Sequence, residues 1–200
     1  MKQIFSYYCF TVWMLFAGLD VFGESQTLDF VVYKGNDQIG TLSISRIVND
    51  TRTTYSLTSS VTIDMLVDFR IIENITDVFD QGTLTSSRHT RHVNGTLRAS
   101  NKAERYDHRY KLTNTNAEIR YMEDPIELSI LSLYFHEPVM NQEIYSQNFQ
   151  QLLVTRKTKA HTYTFDLPNG NVTTYSYKLG KLSAVESNTR FGVIKFIPVP

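Results

Sequence analysis

From Thr54 to Ile63 the chain alternates with a period of two. Tyr55, Leu57, Ser59, Val61 and Ile63 fall on one side, and Thr54, Ser56, Thr58, Ser60 and Thr62 on the other. Successive side chains of a strand point to opposite faces, so this segment has a mostly apolar face and a wholly hydroxylated one. Weaker alternation recurs at Leu42 and Ile44 against Thr41, Ser43 and Ser45, and at Tyr163, Phe165 and Leu167 against Thr162, Thr164 and Asp166. Turn-forming residues separate these runs at hairpin spacing: Gly35-Asn36-Asp37, Asn49-Asp50, Gln81-Gly82, Asn94-Gly95, Pro168-Asn169-Gly170 and Leu179-Gly180. Each supplies the positive φ or the local side-chain bond that reverses a strand. The pattern predicts an all-β chain: an antiparallel meander of roughly nine to twelve strands curved into a half-open barrel, with a closed barrel of lipocalin type as the alternative. Gly-Thr-Leu recurs at Gly40, Gly82 and Gly95, but its unequal spacing excludes a solenoid or propeller.

One stretch breaks the alternation. In Glu123 to Pro138, Asp124 is placed to cap a helix, Pro125 suits its first position, and Glu127 can close a capping box. Ile126, Ile130, Leu133 and Tyr134 then recur at helical spacing, and Pro138 stops the run. This predicts one short helix, Pro125 to Tyr134, lying on the concave face of the sheet. Ile126, Leu128 and Ile130 also alternate with Glu127 and Ser129 as a strand would, but that alternation fails at Ile130-Leu131.

Composition changes the picture in two ways. Residues 1–23 read as a secretory signal peptide, with Lys2 ahead of an apolar run from Ile4 to Leu19 and Val21-Phe22-Gly23 at the cleavage site. The run is short for a membrane span. Residues 24–200 then form a single β domain, exported to the periplasm or secreted. The only cysteine, Cys9, lies in the leader, so the mature chain has none, which suits a bacterial envelope or secreted protein better than a disulfide-stapled ectodomain. Sequons at Asn49, Asn74, Asn94 and Asn171 matter only in a glycosylating pathway and otherwise read as turn chemistry. The balance of 20 basic and 20 acidic residues argues against a nucleic-acid partner.

Candidate chemistry is sparse. His89 and His92 invite a metal reading, but strand residues three apart face opposite ways unless the strand bulges. Asp107-His108 diverge for the same reason. There is no nucleophile elbow, no zinc-protease helix and no phosphate loop, so neither a catalytic residue nor a cofactor is expected and the chain leans away from being an enzyme. The candidate ligand-binding residues are Leu133 and Tyr134 on the apolar face of the predicted helix, with His136 and Glu137 at its end, where partial negative charge favours a protonated histidine. The bland alternative is that Glu137 bonds a neighbouring loop and His136 faces water.

Leu133-Tyr134-Phe135-His136-Glu137-Pro138, with Gly35 to Gly40, Phe69-Arg70, Tyr145-Ser146 and Leu167-Pro168-Asn169-Gly170 to Leu182, resembles a family of uncharacterised exported bacterial all-β proteins, a domain of unknown function carrying a Leu-Tyr-Phe-x-Glu-Pro step. The resemblance spans about Tyr33 to Val193; it implies export and a β architecture, and it carries over no catalytic residue. A more distant likeness of fold is to the periplasmic lipoprotein-carrier proteins. Two functions fit: a binding module whose concave face takes a lipid or other apolar or amphipathic ligand, or a structural part of an envelope assembly, its core filled by its own side chains and its edges meeting an envelope protein. Nothing in the pattern sets an oligomeric state.

Overall fold

The structure, a computed structural model, describes residues 23–64, 68–190 and 192–200. The expected leader therefore lies outside the described residues apart from Gly23. The chain builds β1 (Glu24–Lys34), β2 (Asp37–Asn49), β3 (Arg52–Ile63), β4 (Phe69–Asp80), β5 (Thr83–Val93), β6 (Thr96–Tyr106), β7 (Arg109–Thr113) and β8 (Ile119–Met122). After an irregular stretch come β9 (Glu143–Ser146), β10 (Gln151–Val154), β11 (Arg156–Lys159), β12 (Thr162–Asp166), β13 (Val172–Lys178), β14 (Lys181–Thr189) and β15 (Gly192–Pro198).

Two meanders, β1 to β8 and β11 to β15, are joined where β15 pairs with β1, giving one antiparallel 13-stranded sheet whose edges are β8 and β11. These edges do not pair, so the sheet is a curved, half-open barrel rather than a closed one. The strands outnumber the sequence-based expectation because the short pieces β7 to β11 carry too few residues to show a period. Register shifts at Val32/Tyr33, Val78/Phe79, Arg91/His92 and Ser176/Tyr177 mark bulges, and each bends its strand and so curls the sheet.

The hairpins follow the turn residues. Asn94 and Gly95 both hold positive φ, 49° and 78°, as a tight two-residue hairpin of this hand requires. Gly40 answers a different demand: a Cβ there would lie 2.2 Å from the Ser60 carbonyl oxygen, so β2 and β3 approach too closely for any side chain.

The stretch between β8 and β9 packs into the barrel against the inner face of the sheet. It is not the helix that the caps and spacing predict. Only Ser132–Tyr134 forms a single 3-10 turn; the chain before it is irregular, bridges β9 at Ser129, and turns at Ile130–Leu131. The reason lies in its backbone partners. The Leu84 N–H donates to the Ile126 carbonyl at 2.8 Å, the Tyr145 N–H to the Leu128 carbonyl at 2.9 Å, and the Ile130 N–H to the Tyr145 carbonyl at 3.0 Å. Backbone groups that a helix would pair within itself are taken by β5 and β9, which overrides local propensity. The Ser132 hydroxyl donates to the Ser129 carbonyl at 2.6 Å and sets the turn. Ile126, Leu131, Leu133 and Tyr134 are all buried against the inner face of the sheet, where Phe30, Val32, Leu42, Ile44 and Phe165 meet them.

Candidate functional site

The inner face does not fill completely. A cavity of about 710 Å³ remains, walled by Leu42, Leu57, Val61, Ile71, Ile75, Phe165, Val185, Ile194 and Phe196, with Ile130, Leu131 and Tyr134 of the inserted stretch as its floor. Its lining also takes in Asn169 and Asn171 of the β12–β13 turn, Arg190 of the β14–β15 turn, and Ile63 and Val93 at the ends of β3 and β5. Turns at one end of an antiparallel meander cluster together, so the cavity opens at that end.

Pairing register places an ionic cluster in this wall. Facing partners run in order from the open end: Ile71 with Val93, Glu73 with Arg91, Ile75 with His89, and Asp77 with Ser87. Glu73 Oε1 meets both His89 Nε2 at 2.7 Å and Arg91 Nη2 at 2.6 Å. The Glu73 and Arg91 side chains keep 23% and 33% of their surface, while that of His89 keeps none. Both Glu73 and Arg91 line the cavity. Burial acts to raise the Glu73 carboxyl, but the hydrogen bond to His89 and the charge of Arg91 outweigh it and hold the group down at about 2.

Deeper in the barrel Asp77 is fully buried. The Gln147 amide donates to its Oδ2. Burial pushes this carboxyl up, against the lowering effect of Ser129, Ser87, Gln147 and His89. Asp77 Oδ1, His89 Nδ1 and Ser129 Oγ meet no partner at hydrogen-bonding geometry among the described residues. Asn101, opposite His89 on β6, ties β6 to the β9–β10 turn by donating to the Gln147 and Asn148 carbonyls, each at 3.1 Å. These polar groups thus brace the β9–β10 turn against the sheet.

The four candidate residues part company. Tyr134 lines the cavity, packs edge-on against Phe30 and Tyr175 at 5.3 and 6.2 Å between ring centres, and has its phenol raised well above the ordinary range by burial, with Tyr175, Glu73 and Tyr177 adding. Leu133 is buried in the packed core, outside the cavity wall, and its carbonyl accepts a bond from the Tyr177 hydroxyl at 2.7 Å. His136 is exposed; such burial as it has lowers its pKa, and Arg46 adds to that. Glu137 accepts the Tyr163 hydroxyl at 2.9 Å and faces His161 Nδ1 at 3.0 Å. His161 sits in the β11–β12 turn, at the end away from the cavity mouth. Of the four, only Tyr134 belongs to the cavity.

His89 and His92 do not form a pair: His89 is buried on the inner face and turned to Glu73, while His92 is half-buried beyond the bulge at Arg91/His92. The residues that reading by motif misses are Glu73, Arg91 and Asp77. One signal for them exists in the sequence. Ile71, Glu73, Ile75, Asp77 and Phe79 share one phase of β4, so two carboxylates sit where the period demands apolar side chains.

No curated protein matches the sequence. Among solved structures the fold is similar to that of a beta-barrel-like protein of the domain of unknown function DUF1849 from Brucella abortus, with a TM-score of 0.52 and 10% identity, covering 88% of this chain and 95% of that one. A likeness at that identity concerns the fold alone. A family model matches residues 30–199, nearly all of the described sheet, and the chain belongs to that family, the domain of unknown function DUF6134.

Proposed function

We propose that the protein is an exported binding module, periplasmic or secreted, that shelters an apolar or amphipathic ligand in the open end of its barrel. One observation carries the reading: the concave face, instead of being filled by its own side chains, leaves about 710 Å³ behind a largely apolar wall. That volume lies inside the range of small-molecule sites, and an apolar wall with a few convergent polar groups is their usual form. Export rests on the apolar leader in the sequence.

The test is a titration with an environment-sensitive apolar dye, repeated on Val61→Trp. Val61 is half-buried and lines the cavity, so an indole there occupies ligand space. Saturable dye uptake by the wild type, lost in a folded Val61→Trp variant, supports binding in the cavity. A wild type that takes up no dye refutes it and favours the structural reading, in which an envelope protein meets the sheet edges.

A further inference from the structure

The charged groups in the cavity wall select among amphiphiles. Ser59, Glu73 and Arg91 form a row across β3, β4 and β5, each facing its neighbour in register. Within the row Arg91 Nη2 donates to Glu73 Oε1, which His89 also meets from outside it. Among the described residues Glu73 Oε2 and the Arg91 Nη1 and Nε groups take no hydrogen-bond partner, and both side chains are part-exposed to the cavity. The row thus presents an acceptor and a donor side by side, with the Ser59 hydroxyl next to them.

The Arg91 charge is already neutralised at 2.6 Å by Glu73. An anionic head group reaching Arg91 would bring a second negative charge against Oε2, in a wall of low dielectric where like charges repel strongly. A cationic head group would meet the guanidinium instead. Arg190, the remaining charged residue of the lining, is exposed in the turn at the mouth, where water screens it. A hydroxyl, by contrast, donates to Oε2 and accepts from Arg91 without adding charge. We propose that the ligand is a single-chain amphiphile with an uncharged, hydroxyl-bearing head group, of the monoacylglycerol type, seated on the Ser59–Glu73–Arg91 row. This rests on the binding function proposed above.

The experiment compares monolaurin with laurate, which share one acyl chain, by displacement of a prebound fluorescent dye at a pH where laurate is ionised. Both are used below their micelle-forming concentrations. For the wild type, monolaurin is expected to bind at least tenfold tighter. Equal affinities, or tighter laurate, overturn the head-group inference while leaving the binding reading standing; failure of both to displace dye that does bind the cavity overturns the head-group inference as well, and a protein that binds no dye removes the reading beneath it. In Glu73→Gln the wall's own negative charge is gone and laurate's carboxylate meets Arg91 unopposed, so the preference for monolaurin should shrink at least tenfold; an unchanged ratio overturns the role given to Glu73. Circular dichroism establishes that the variant is folded. If it is not, Arg91→Gln takes its place: with the cation removed and Glu73 retained, the preference must widen, and a narrower ratio overturns the inference.

Discussion

Replacing Leu133 with Ala separates packed core from cavity within one short stretch. Leu133 is 1% exposed, lies outside the cavity wall, and sits between the Ser132 turn and Tyr177. Its truncation removes buried methyl groups from a site that cannot collapse, because both neighbouring backbones are hydrogen-bonded in place. The expected cost is about 2 to 5 kcal/mol. For a chain of this size about 3 kcal/mol corresponds to a fall in melting temperature of roughly 6 to 12 °C. The partner variant is Leu57→Ala. Leu57 is also buried, but it faces the existing cavity, where part of its surface already lacks packed neighbours. Its cost to the empty protein should be the smaller of the two, while dye affinity falls, because ligand contact is what it loses. Far-UV circular dichroism during urea unfolding measures the first quantity and dye titration the second. A Leu133→Ala loss below about 1 kcal/mol, or dye affinity that falls with Leu133→Ala and not with Leu57→Ala, would refute this division of the inner face.

Acid should act through Glu73. Its folded pKa of about 2 lies below the ordinary carboxyl value, so its ionised form adds stability at pH values above about 4.5, and that contribution is lost as pH falls toward 2. A shift of that size corresponds to about 3 kcal/mol, so Glu73→Gln should flatten the acid limb of a stability profile, and an unaltered limb would count against the cluster. Asp77 has the opposite sign: its raised pKa means stability that is full below the unfolded value and lost as pH rises through the folded one, so Asp77→Asn should lessen the decline above pH ~4. Gly40→Ala forces β2 away from the Ser60 carbonyl and should lower the denaturant midpoint, whereas a neutral result would mean that the strands separate easily. Glu137→Gln weakens the contacts to Tyr163 and His161 and should cost about 1 kcal/mol or less with dye affinity intact; a change in affinity would return Glu137 to the binding site.

The sheet was legible because its signals are local. The inward phase of β3 reads directly from Tyr55, Leu57 and Ile63, and the turns read from residues such as Asn94 and Gly95, whose φ values are positive as expected. The inserted stretch was not legible in the same way. Asp124, Pro125 and Glu127 offer helix caps, yet the carbonyls of Ile126 and Leu128 and the N–H of Ile130 are claimed by Leu84 and Tyr145, distant in sequence. Neither the helical spacing nor the strand alternation describes Ile126 to Ile130: Glu127 is exposed, but Ser129 is as buried as Ile126, and the chain turns at Ile130–Leu131. Glu73 and Arg91 escaped for a related reason. They are 18 residues apart, and their meeting depends on the register of a hairpin that carries a bulge at Val78/Phe79. What a single strand could reveal was only that Glu73 and Asp77 occupy apolar phase.

Native mass spectrometry of the protein recovered from its own cells without denaturants tests the central claim, that the open end of the barrel is a ligand site, most directly. The account predicts a mass above that of the mature polypeptide by one neutral single-chain amphiphile, released by organic solvent and absent from folded Val61→Trp. A bare polypeptide mass, in a preparation that also takes up no apolar dye, would contradict it.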